Sequence, residues 1–124
     1  MKIKLQEIVN LATGTIEVKS VLQELQTVKF PVKISYRIKR FVDKLNPSID
    51  AYNEKRSELI KEYGDKNEEN DTFEVKNPEK LKIYTEKMLE LLDTEEDIDF
   101  EKIKIEEIGD LVIEPRLLTD VIFE

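Results

Sequence analysis

The chain of 124 residues has no cysteine, no histidine and no tryptophan, and only three glycines. Without cysteine there is no disulfide framework and no thiolate nucleophile. Without histidine the commonest general base is missing, and with both absent the standard zinc ligand sets are missing too. Three glycines with turns to make leave neither a Walker-type loop nor a GxGxxG loop to cradle phosphate, and no GxSxG nucleophile elbow is present. Aromatic residues are 7% of the chain, too thin to line the sugar cleft that a glycosidase carboxylate pair requires. No window approaches the roughly 18 uninterrupted apolar residues of a membrane helix. Met1-Lys2-Ile3-Lys4 leads into mixed residues rather than the apolar stretch of a signal peptide. These absences predict a soluble, intracellular, non-enzymatic protein with no cofactor, no metal and no membrane span.

What is present is charge. Charged residues make up 39%, where roughly 25% is ordinary, and hydrophobic residues 40%. That mixture fits long amphipathic helices with heavily charged outer faces. The length fits one domain, residues 1–124. The net charge of −8 is polarised: Met1–Asn46 has nine Lys and Arg against four Asp and Glu, or +5, and Pro47–Glu124 has eleven against 24, or −13. An acidic whole argues against general nucleic-acid affinity, which rests on neutralising phosphates. The basic first third keeps a local anion contact open.

Met1–Leu5 alternates, as an edge strand or a helix lead-in does. Leu5, Ile8, Val9 and Leu11-Ala12 have helical spacing, which Thr13-Gly14-Thr15 breaks, with Thr15 as the next N-cap. Val18, Val21, Leu22 and Leu25 predict a second short helix from Glu17 to about Thr27. The strongest pattern runs from Pro31 to Tyr63. Ile34, Ile38, Phe41, Leu45, Ile49, Tyr52, Leu59, Ile60 and Tyr63 recur at helical intervals, and Gly64 is the stop. Inside this run Pro47 lacks an N–H, so it either kinks one helix or opens a second one capped by Asn46.

Asp65–Asp71 reads as a polar loop and Thr72–Lys76 as a short strand. Asn77 caps the next helix with Pro78 at its first position, and Leu81, Tyr84, Met88, Leu91 and Leu92 give it a buried stripe. Glu95-Glu96-Asp97 is a separator. Ile98–Ile105 alternates with one phase shift, as a bulged strand does. Glu114-Pro115 opens a last short helix carrying Leu117, Leu118, Val121 and Ile122. The predicted fold class is α+β and mainly helical, a long antiparallel helical hairpin with a small antiparallel sheet and a short C-terminal helix.

Carboxylates are the only catalytic or metal-binding chemistry left. Glu95, Glu96, Asp97, Asp99 and Glu101 could supply oxygen ligands, but neither this cluster nor Asp65–Asp71 has the ligand spacing and turn glycine of a calcium loop. Both read as solvated loops. Lys33, Arg37, Arg40 and Lys44, at intervals of four, three and four, line one helix face. That face either meets an anion, such as nucleic acid or an acidic protein, or is neutralised by the acidic second half of this chain or of a neighbouring protomer. The apolar end, with Leu118, Ile122 and Phe123, either docks on the core or forms an interaction patch.

Phe30-Pro31-Val32-Lys33-Ile34-Ser35-Tyr36 opens the long helix and Glu58-Leu59-Ile60-Lys61-Glu62-Tyr63-Gly64 ends it. Phe73-Glu74-Val75, a helix ending Met88-Leu89-Glu90-Leu91-Leu92, and Ile98–Lys104 follow. This order, over Phe30–Lys104, resembles a family of small uncharacterised proteins from tailed phages and prophages of Gram-positive bacteria. Asn46-Pro47-Ser48 departs from that family's uninterrupted helix. The resemblance carries no functional residue. It implies a phage setting, in the host cytoplasm or in association with the virion.

The expected function is a non-enzymatic protein-interaction, assembly or accessory module with a host or phage protein partner, or with a second copy of itself. Two alternatives stay open. One is an acidic inhibitor that mimics nucleic acid before a host enzyme. The other is a nucleic-acid-binding accessory that uses the Lys33–Lys44 face.

Overall fold

A computed structural model describes all residues from Met1 to Glu124. The elements in chain order are β1 (Lys2–Lys4), α1 (Leu5–Ala12), α2 (Val21–Leu25), α3 (Val32–Tyr63), β2 (Asp65–Asn67), β3 (Thr72–Glu74), α4 (Pro78–Leu92) and β4 (Glu95–Asp97), followed by two 3-10 turns at Ile105–Ile108 and Pro115–Leu117. The chain is thus mainly helical with small antiparallel sheets, and the long helix is where its 3–4 spacing predicts it.

A body of eighteen buried residues is built from both ends of the chain. Ile3, Leu5, Ile8 and Leu11 meet Leu22, Leu25 and Phe30, the first half of α3 (Ile34, Ile38, Phe41, Val42, Leu45), and Ile98, Ile103, Ile108, Leu117, Ile122 and Phe123. Ile49 and Tyr52 still pack half-buried against this body; beyond them α3 leaves it and runs antiparallel to α4, forming a two-helix arm tipped by the β2–β3 hairpin. In the arm the only buried side chain is Leu59.

Several boundaries differ from the sequence reading. The second helix starts at Val21 rather than near Glu17, and its cap is Ser20 rather than Thr15. Ser20 accepts from the Gln23 amide at 3.2 Å while the Gln23 side chain accepts from the Ser20 amide, also at 3.2 Å. This reciprocal box satisfies two otherwise orphan donors. Thr15 instead accepts from the Val18 amide within a turn. In that turn Gly14 is required, because a Cβ there would lie 2.7 Å from the Ser20 nitrogen. Ser20 is itself buried. Ser20→Ala is therefore expected to cost about 1 kcal/mol, read as a lower urea midpoint with an unchanged slope, whereas Thr15→Ala leaves the midpoint within error.

There are two sheets, not one. β2 pairs with β3 as a local hairpin, so part of the expected Asp65–Asp71 loop is strand. β1 pairs antiparallel with β4, with Lys2 opposite Asp97 and Lys4 opposite Glu95. Lys4 also reaches Asp93 at 2.8 Å. That hydrogen bond and charge, with Glu95 and Glu7 behind them, hold the Lys4 ammonium above its ordinary pKa.

The expected bulged strand at Ile98–Ile105 is extended chain split between two pairings: Ile98 continues the β1–β4 register, donating to the Met1 carbonyl at 2.8 Å, and Ile103 is bridged in parallel to Phe123. The expected C-terminal helix is a single 3-10 turn at Pro115–Leu117. After it the chain is zipped to the Ile103 segment: Ile103 donates to the Ile122 carbonyl at 2.8 Å and Glu124 donates to the Ile103 carbonyl at 3.0 Å. Extended pairing replaces the helix because it carries Ile122 and Phe123 into the core, both of them almost fully buried.

Candidate interaction surfaces

Three places bear on function: the basic face of α3, the carboxyl end, and the arm.

α3 holds Lys33, Arg37, Arg40 and Lys44 on one side, as their spacing requires. The chain then lays Asp99–Glu107 along the same side. Arg37 donates to the Glu107 carboxylate at 3.1 Å and to the Glu101 carbonyl at 2.8 Å. Lys44 donates to the Asp99 carbonyl, with the Asp99 carboxylate 3.8 Å away. Two of the four cations are therefore neutralised within the molecule. Lys33 and Arg40 are exposed and make no ion pair.

Between α3 and the Asp99–Glu107 segment lies a groove of about 360 Å³, lined by Tyr36, Arg37, Arg40, Phe41, Lys44 and the segment's own side chains, Lys102 and Lys104 included. Its floor is an aromatic pair, Phe41 and Phe100, with ring centroids 4.3 Å apart and planes tilted by 34°. Tyr36 stands at the rim with 64% of its surface exposed, and Val32, one turn earlier, with 86%. Lys102 and Lys104 are absent from the face predicted from sequence. They lie about sixty residues from it along the chain, and only the fold brings them across. The visible signal was the alternation Ile98–Ile105, which sends its lysines away from the core.

The carboxyl end does not form a surface. Ile122 and Phe123 are core residues, the Phe123 ring sits 6.3 Å from that of Phe30, and Leu118 is half-buried against the same cluster. Of the two readings open for this end, docking describes the structure. As members of an exposed interaction face, Ile122 and Phe123 are corrected.

The arm also leaves apolar surface uncovered, on a single helix. None of the residues of α4 is buried. The expected buried stripe is only partly covered: Tyr84, Met88, Leu91 and Leu92 are half-buried against α3, and Leu81 is 45% exposed. Leu89, outside that stripe, is 62% exposed. At 3.6 residues per turn, Leu81, Thr85, Leu89 and Leu92 share an arc about 80° wide. The α4 start is well formed, with Asn77 accepting from the Glu79 amide at 3.0 Å and the Lys80 amide at 3.2 Å and Pro78 in the first turn. A groove of about 410 Å³ lies on the arm between Leu59 and Tyr63 of α3 and Leu91 of α4, walled by Lys55, Glu62, Lys87 and Glu90.

No group of carboxylates is gathered as a metal site would gather them. No helix is long and apolar enough to cross a membrane. Comparison with family models, with curated proteins and with solved structures gives no match. The functional reading therefore rests on the geometry above.

Proposed function

We propose that the chain is a non-enzymatic protein-interaction or assembly module whose contact surface is the unfinished face of the α3–α4 arm. One observation carries the reading: a fifteen-residue helix rich in leucine buries none of its residues. A helix of that length is marginal alone in water and depends on tertiary packing. Here α3 covers one side of the apolar arc and nothing covers Leu81 and Leu89. Apolar patches of that kind mark contact sites. In the phage setting that the family resemblance implies, the partner is a host or phage protein.

The variant Leu81→Glu/Leu89→Glu tests this. Both positions are exposed, so the stability of the isolated chain should stay within about 1 kcal/mol of wild type. Partner binding should fall at least tenfold. The comparison is between proteins retained from host lysate by wild type and by the variant, with light scattering after size exclusion for self-association. A wild type that is strictly monomeric and retains nothing, or a variant that retains the same proteins as wild type, overturns the reading.

A further inference from the structure

The groove between α3 and Asp99–Glu107 has the opposite sign to the molecule around it. Its lining holds five cations against three acids, in a chain of net charge −8. Arg37 is committed to Glu107 and Lys44 to Asp99. What remains free is Arg40, Lys102 and Lys104 against Glu101 alone. The committed pairs fix the walls and the Phe41–Phe100 stack fixes the floor, so the free cations are presented from a preformed frame.

The arm carries the complementary sign at its far end. The turn joining β2 to β3 is Glu68-Glu69-Asn70-Asp71. Asp71 is held by Lys66 at 3.0 Å, while Glu68 and Glu69 have no cationic partner. The turn is shaped locally: Asn67 accepts from the Glu69 amide at 3.0 Å, and Asn70 accepts from the Thr72 hydroxyl at 2.7 Å. From the middle of the basic face to Gly64 is about 24 residues of α3, or about 35 Å at 1.5 Å per residue. Within one copy the acidic tip cannot reach the groove.

We propose that the acidic tip of one copy seats in the basic groove of a second, head to tail. This rests on the reading of the chain as an interaction module but uses different surfaces from the α4 face. Tip and groove are different patches, so the contact is heterologous and each bound copy keeps one free tip and one free groove. Copies therefore add in series, closing into a ring or extending as a filament according to the angle between them. Nucleic acid is the weaker occupant, because the rest of the acidic molecule repels a phosphate backbone. Exposed ion pairs are individually weak, so association should be modest and sensitive to salt.

Sedimentation velocity on the full chain over a concentration series tests it. At low salt the average mass of wild type should rise with concentration, and raising the ionic strength to about 0.3 M should weaken association at least tenfold. Glu68→Gln/Glu69→Gln should be monomeric, and so should Arg40→Gln/Lys102→Gln/Lys104→Gln. Mixed in equal amounts, the two should form a one-to-one dimer and stop, since one retains the groove and the other retains the tip. A monomeric wild type, charge variants that assemble normally, or a mixture that stays monomeric overturns the proposal. Retention of a thymidine oligonucleotide by the groove, without self-assembly, also overturns it. Self-assembly lost in Leu89→Glu but kept in the charge variants moves the contact to α4, overturning this proposal while sparing the interaction-module reading.

Discussion

Phe41→Ala is expected to leave the chain close to unfolding. The ring is fully buried, sits on α3 in the centre of the core, and stacks on Phe100 from the segment that crosses it. Removing a buried phenylalanine costs about 3–5 kcal/mol, part lost transfer energy and part cavity. A domain of this size has a total stability of roughly 5–15 kcal/mol. The low end applies here, because eighteen core residues support 124 and the arm adds almost no burial. With a urea slope of about 1–2 kcal/mol per M, the midpoint should fall by about 2–4 M. Phe41→Leu, which keeps most of the volume, should cost under half as much. A midpoint shift below about 0.5 M for the alanine variant would mean that this ring is not packed as described. The same substitution removes the floor of the basic groove, so its effect on self-assembly is not separable from its effect on folding. That is why the assembly test uses surface charges.

The elements written in a local code were legible from sequence, and the elements made by distant pairing were not. α3 and α4 show in 3–4 spacing, and the Asn77 cap, Pro78 at the first turn and the Gly64 stop fall where that code puts them. β4 was hidden. Glu95-Glu96-Asp97 has no apolar residue and looks like a solvated linker, yet it is a strand because Lys2 and Lys4 lie opposite Asp97 and Glu95. An edge strand held by main-chain bonds and cross-strand charge carries no hydrophobic period to detect. The alternation of Ile98–Ile105 reported burial correctly at Ile98 and Ile103, but not that the two pair with opposite ends of the chain, Ile98 with Met1 and Ile103 with Phe123.

The same limit applied to the surfaces. Periodicity groups Leu81, Tyr84, Met88, Leu91 and Leu92 on one side of α4. It does not say how much of that side another helix covers, and one helix covers only part of it. The spacing of Lys33, Arg37, Arg40 and Lys44 gave the face but not its partners. Glu107 and Asp99 take two of those cations, while Lys102 and Lys104 add two from across the groove. The carboxyl end was legible as apolar, but Pro115 followed by extended pairing to Ile103 turned an expected helix into a docked strand-like tail.

Pro47→Ala is expected to stabilise the chain. α3 is one helix from Val32 to Tyr63 with Pro47 inside it, so the break with Asn46 as a new cap does not occur. A proline in a helix interior leaves the carbonyl four residues back, that of Asp43, without its amide donor, and its ring crowds that carbonyl. The combined cost is about 3 kcal/mol relative to alanine. Both Asp43 and Pro47 are exposed, so water reaches the freed carbonyl and part of this cost is offset. Proline also restricts the unfolded chain, which offsets roughly another 0.4–1 kcal/mol. The net gain from alanine is therefore about 1–2 kcal/mol, a urea midpoint higher by about 1 M. Position gives the substitution its second consequence. Leu45 is the last fully buried residue of the body on α3, and Leu59 is the next buried side chain along the helix. Pro47 thus stands between the fully buried turns of the body and the half-buried Ile49 and Tyr52 that lead into the arm. Restoring the missing hydrogen bond should slow amide exchange around Ser48–Ala51 more than at Ile38–Phe41, which the core already protects. An unchanged or lower midpoint would mean that this junction is built around proline, with the ring tolerated at no net cost.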